Sequence, residues 1–316
     1  MEAHASSCAP RHHGGHCSSP VFSAAGTRCR CSTVGRVFGP VFVRLTGGVG
    51  NQLFQVAAGA GIGGLRHVRV LPARRNGQLS LADLAPGLVA PAGSFEGRIV
   101  RGVLARGALP EGSTPAVRPL ATALRRRTVR QGTDLSDAFL PRPSTPSRVR
   151  LLDGYFQHPT WFGPGLDEVT AGLAAAIPAK DRHGTVVHAR GGDYADLGWA
   201  LADNYYRHAI AALGAPGALH VVSDDAALAN RIVLLAGEIG WGATASTGSA
   251  VDDFWAIASA TNLVMSNSSF SWWAATVGDL LAQRRGARRT VTFPRGWVNG
   301  HGDVLCSAHW RAIDRA

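Results

Sequence analysis

The chain is predicted to be an α/β protein built on doubly wound parallel sheet, on three observations. Apolar segments of strand length alternate with segments whose apolar residues recur at helical spacing. Several strands stop on glycines or hydroxyl-rich turns, where such folds place their ligands. At 316 residues the chain is also long enough to bury one large or two ordinary cores.

The elements follow in order. Residues 1–39 show neither period and are rich in Ser, Gly, His and Cys, so they are expected to be a disordered leader. Val41-Phe42-Val43-Arg44-Leu45 is the first strand, then the turn from Thr46 to Gly50, then a helix carrying Leu53, Phe54, Val56, Ala57 and Ala60. Such a turn lets backbone N–H groups approach a phosphate or sugar at the positive end of the helix. From Leu71 to Arg150 the pattern is irregular, with short helices expected at Leu79–Leu84 and Ala121–Arg130. The run Pro141-x-Pro143-Ser-Thr-Pro146 reads as a linker. It divides a first domain, 40–148, from a second, 149–316.

In the second domain a strand is expected over Val149–Phe156 and a helix from about Leu166 to Ile177, ending at Pro178. Strand Val187-His188-Ala189 leads to Arg190-Gly191-Gly192-Asp193. Alternation puts Val186, His188 and Arg190 on one face and delivers two basic side chains to the strand's carboxyl end. Asp203 is expected to cap the next helix, and Asp224 the one after strand Ala218–Ser223. Asp252-Asp253 opens a helix, Leu263-Val264-Met265 is a strand, and Ser266-Asn267-Ser268-Ser269 starts a helix containing Trp272 and Trp273. Capping needs one serine, so three in four positions suggest an anion site that requires no metal.

Composition removes several function classes. The net charge of +11 invites a nucleic-acid or membrane-surface reading. Lys180 is the only lysine, however, and residues 98–130 have arginines without interleaved aromatics. No nucleic-acid partner is expected. No apolar run reaches bilayer length and no export signal is visible, so the expected location is cytoplasmic, with peripheral membrane contact as the variant. Cys8, Cys17, Cys29 and Cys31, with the histidines among them, match no usual zinc spacing. A nucleotide-dependent oxidoreductase would need a third glycine where Leu53 stands and an acidic residue near Leu71–Arg74, and has neither.

Four stretches in order resemble the α-1,2-fucosyltransferases of glycosyltransferase family 11: Gly47-Gly48-Val49-Gly50-Asn51-Gln52-Leu53-Phe54-Gln55, Gly154-Tyr155-Phe156-Gln157, His188-Ala189-Arg190-Gly191-Gly192-Asp193-Tyr194, and Ser266 through Ala275. The resemblance implies a GT-B-like fold, two Rossmann-like domains facing a central cleft. It implies GDP-L-fucose as donor and inverting transfer to the 2-hydroxyl of a terminal galactose, on an oligosaccharide or lipid-linked glycan. No cofactor and no metal are implied, and no Asp-x-Asp triplet occurs in the chain. Carried over, Arg190 holds the diphosphate and His188 lines the same crevice. Ser268 and Ser269 meet the phosphates, Ser223 lies nearby, Asp253 bonds the guanine edge, and Gly50 and Asn51 face the donor from the first domain. The base is Asp193 or Asp196, either of which could equally cap the next turn. The family usually reads His-x-Arg-Arg-Gly-Asp, and Gly191 replaces the second arginine here. Another nucleotide-sugar transferase of the same fold is the first alternative, and a nucleic-acid-binding protein the second.

Overall fold

A computed structural model describes residues 39–71, 79–104, 117–131, 135–142, 149–176, 184–297, 305 and 307–315. The expected leader, apart from its last residue, and all five cysteines lie outside the described residues.

The first half runs β1 (Val41–Arg44), α1 (Val49–Gly63), β2 (Val68–Leu71), α2 (Leu81–Leu84), β3 (Ala90–Pro91), α3 (Ser94–Leu104), α4 (Val117–Arg125), β4 (Thr128–Arg130), α5 (Leu135–Ala138), β5 (Leu151–Asp153) and α6 (Pro159–Ala176). The second runs β6 (Thr185–Ala189), α7 (Asp193–Asp196), α8 (Asp203–Ala211), β7 (Ala218–Ser223), α9 (Ala226–Glu238), β8 (Gly242–Ala245), α10 (Ala250–Ser259), β9 (Asn262–Val264), α11 (Ser269–Arg284), β10 (Thr290–Pro294) and β11 (Arg311–Ile313). Their strands form two sheets, ordered β3-β2-β1-β5-β4 and β11-β10-β9-β6-β7-β8. Every pairing among the described residues is parallel.

The second sheet runs outward from β6 through β7 to β8, then restarts at β9 on the other side of β6. That is the strand order of a dinucleotide-binding sheet, and its reversal between β6 and β9 opens a crevice beyond their carboxyl ends. The first sheet reverses likewise between β1 and β5. Each half therefore offers one crevice, and the chain is an α/β protein of the GT-B-like kind expected.

Local chemistry explains the elements that the sequence reading misplaced. The domain division at 148/149 is corrected: β5 pairs with both β1 and β4 in the first sheet, and Arg44 reaches Asp153 at 3.1 Å. The fully buried Leu151 and Leu152 make this strand part of the first core. The crossing to the second sheet thus falls between α6 and β6. Helix α6 begins at Pro159, well before Leu166, and contains Pro164. Proline suits a first turn, and His158 caps that turn, its Nδ1 accepting from the Thr160 N–H at 3.2 Å. In the irregular region, 128–130 is a strand rather than the end of a helix.

One apolar cluster spans both halves, joining Val41, Leu53 and Trp161 to Val186, Phe254 and Trp273. Phe54 lies 4.9 Å from the Trp272 ring and 5.2 Å from that of Trp273, centroid to centroid. The aromatic pair of the fourth motif is thus packed on the first motif's phenylalanine, and the two halves share a core.

Candidate active site

The two crevices open into one cleft of ≈ 680 Å³, within the roughly 300–1,000 Å³ usual for small-molecule sites. Gly50, Asn51, His188, Arg190, Asp193, Ser223, Asp253, Ser268 and Ser269 all line it. Asp196 does not; it lies exposed at the end of the short helix α7, off the cleft. This corrects its candidacy as base and leaves Asp193, at the first position of that helix, as the one of the two candidates on the cleft, which Asp224 and Asp253 also line.

The first-domain wall is held by its own motif. Gln55, fully buried, accepts from the Thr46 N–H at 3.0 Å and donates to the Thr46 carbonyl at 3.2 Å. Gln52 donates to the Gly47 carbonyl at 3.0 Å and accepts from the Leu81 N–H at 3.2 Å. These two amides fix the glycine turn, so the helix begins at a defined place. Helix α1 follows Gly48, which offers it no side-chain cap, and has no acidic residue in its first turn, leaving N–H groups and the positive dipole end for an outside acceptor. Asn51 Oδ1 accepts from Gln157 Nε2 at 2.7 Å and from Ser269 Oγ at 3.0 Å, joining three motifs across the cleft. Gln157 is presented by Phe156, whose φ of +55° is rare for a side-chain-bearing residue. Its N–H donates to Gln131 Oε1 at 2.7 Å.

The second-domain wall begins with helix α11, capped by Ser268, whose Oγ accepts from the Phe270 N–H at 3.3 Å. No acidic residue lies in its first turn. The apparent surplus of serines has an internal use: buried Ser266 pairs its Oγ with His188 Nδ1 at 2.8 Å, beneath the cleft floor. Only Ser268 and Ser269 face the cleft. Burial, with the Arg190 charge adding, drives His188 down to about 3. It is a neutral partner of Ser266 at ordinary pH, not a second cation.

Arg190 is the one arginine on the cleft among the described residues. Its Nη2 donates to Asp193 Oδ1 at 2.8 Å, its Nη1 lies 2.9 Å from Asp224 Oδ2, and its carbon sits 5.2 Å from the Tyr194 ring centre. Two capping expectations are corrected here. Asp225, not Asp224, caps α9, accepting from the Ala227 and Leu228 N–H groups at 2.9 and 3.1 Å; the preceding carboxylate is engaged by Arg190. Asp203 is already inside α8 and pairs with Arg231 at 2.9 Å instead. Asp224 was the residue that sequence reasoning under-read, because a helix-start aspartate looks like a cap whatever it bonds.

At the far end, Asp253 accepts from Ser246 Oγ at 2.6 Å, and burial raises its carboxyl above the usual range. Ser223 lines the cleft, but its hydroxyl accepts the Asp225 N–H at 3.1 Å and so shapes the turn. No group of three His, Cys, Asp or Glu that could hold a metal occurs among the described residues, and none of the described helices is long and apolar enough to cross a membrane.

The halves touch where α1 and α11 begin. A Cβ at Gly50 would fall 2.4 Å from the Ser269 carbonyl carbon and 2.5 Å from the Phe270 nitrogen, and neither backbone atom can swing away. Gly50→Ala is expected to cost about 1–3 kcal/mol, the usual range for overpacking. Urea unfolding should show it as a lower midpoint at unchanged slope, and an unshifted midpoint would mean that the two helix starts do not pack together.

The fold and cleft define an α/β protein with a nucleotide-sized site between two facing parallel sheets. Within it, residues 167–281 match the family model described as glycosyl transferase family 11. No curated protein matches the chain. Among solved structures it is similar to POFUT1 in complex with GDP, at 13% identity over 81% of this chain and 98% of that one, TM-score 0.41. It is also similar to E. coli heptosyltransferase WaaC with ADP (12% identity, 87% and 93%, TM-score 0.45). A third is Arabidopsis thaliana FUT1 in complex with GDP (13% identity, 85% and 74%, TM-score 0.46).

Proposed function

We propose that the protein transfers L-fucose from GDP-L-fucose, with inversion, to the 2-hydroxyl of a terminal galactose on an oligosaccharide or lipid-linked glycan. The observation that carries this reading is the convergence of one arginine and two carboxylate-free helix starts on a single cleft. A diphosphate needs cationic and N–H donors fixed in place, and these are such donors. The family 11 match over 167–281 agrees, because that segment carries Arg190, Asp253, Ser268 and Ser269.

In this reading the guanine lies toward Asp253, which accepts from the base's ring N–H and amino group. The diphosphate lies across the mouths of α11 and α1. Asp193 now holds Arg190. As the leaving diphosphate takes its place, the carboxylate is released to accept the proton of the attacking galactose hydroxyl. That oxygen forms the new bond to the fucose anomeric carbon while the bond to the phosphate oxygen breaks, and the electron pair leaves on GDP. Arg190 and the helix ends meet the growing negative charge, so neither metal nor cofactor is required.

Purified protein mixed with GDP-fucose and a panel of galactosides in EDTA tests donor, linkage and metal independence together. An α-1,2-fucosylated product is expected. Turnover with another nucleotide sugar but not GDP-fucose would overturn the donor assignment, and loss of turnover in EDTA the metal-free chemistry.

A further inference from the structure

Arg190 is held by two carboxylates that differ in their own anchorage. Asp193 is the more exposed of the two, its side chain 62% accessible against 32% for Asp224, and it sits on a helix of only four residues. No other hydrogen bond to the Asp193 side chain is made among the described residues. Asp224 is bound twice: Oδ1 accepts the Gly191 N–H at 2.9 Å while Oδ2 lies 2.9 Å from Arg190 Nη1. One carboxylate therefore ties the backbone just past β6 to the guanidinium that emerges from it. The neighbouring turn leaves no slack, since a Cβ at Gly191 would meet Asp225 Cβ at 2.5 Å.

We propose that Asp224 is the positioning residue for Arg190, a brace retained when the nucleotide binds, whereas Asp193 is the partner that the diphosphate displaces. The proposal rests on the reading of the cleft as a GDP site. A free arginine has many rotamers, and fixing its fork before binding lowers the ordering cost that the ligand must otherwise meet. The opposite sign is physically available: a carboxylate beside a diphosphate repels it, and removing Asp224 would then tighten binding. Geometry favours the brace, because Asp224 occupies one edge of the planar fork and leaves the Nη2 edge to the ligand once Asp193 has moved.

The test compares Asp224→Ala, Asp224→Asn and Asp193→Ala in the full chain, with GDP as the probe in calorimetry and with steady-state kinetics. Asp224→Ala should weaken GDP by about tenfold or more, equivalent to ~1.4 kcal/mol, and raise the donor KM without raising the acceptor KM. Asp224→Asn, whose amide oxygen can still accept the Gly191 N–H, should lose less. Unchanged or tighter GDP binding in Asp224→Ala overturns the brace. Amide exchange supplies a readout independent of nucleotide: the peptide containing Gly191 should exchange faster in Asp224→Ala than in wild type, and not in Asp193→Ala. Wild-type protein that binds no GDP would defeat the functional reading alone; equal exchange at Gly191 in Asp224→Ala and wild type would defeat the brace.

Discussion

Arg190→Ala is expected to lower kcat for transfer from GDP-fucose by about 10²- to 10³-fold, the loss typical when one fixed donor to a developing oxyanion is removed, ~3–4 kcal/mol. No other arginine among the described residues lines the cleft, and burial keeps His188 uncharged, so no neighbouring cation can substitute. The fold should persist. The side chain is 30% accessible, and Asp224 keeps its bond to the Gly191 N–H. Arg190→Lys should recover part of the loss, because an ammonium restores charge without the two-pronged geometry. Single-turnover kinetics beside circular dichroism check both halves. Wild-type turnover in a folded Arg190→Ala protein would remove the guanidinium from the mechanism.

Gly191→Arg, which rebuilds the arginine pair usual in the resembling family, is expected to destabilise this protein and not to tighten GDP. The new Cβ would lie 2.5 Å from Asp225 Cβ and 2.7 Å from its Oδ2. Relieving that contact means moving the side chain that caps α9, worth ~1 kcal/mol, on top of about 1–3 kcal/mol for overpacking. Gly191→Ala separates the two effects, because it carries the same Cβ and no charge. Both variants should unfold at lower temperature by similar amounts. Stronger GDP binding with undiminished stability in Gly191→Arg would show that the turn at β7 yields and that the missing arginine was only a lost contact.

The motifs were readable because each carries its own local physics. Strand, glycine turn and apolar helix spacing placed β1 and α1 to within a few residues, and an apolar run stopping at Arg190-Gly191-Gly192 located the end of β6. Serines ahead of an apolar helix located the start of α11. The same local logic failed where a residue's partner is distant. Leu151 and Leu152 look alike as members of either sheet, and only pairing with β1 and β4 decides between them. Ser266 looked like a phosphate ligand until its bond to His188, seventy-eight positions away, accounted for it.

By itself the sequence determined that this chain alternates strands and helices and that its strand ends carry the polar chemistry, because period and turn chemistry act over a few residues. Tertiary structure alone decided where one half stops and the other begins, that Asp193 rather than Asp196 reaches the cleft, that His188 stays neutral, and that Asp224 grips Arg190. Those outcomes depend on burial and on contacts between segments remote in the chain, and neither leaves a periodic trace in the order of residues.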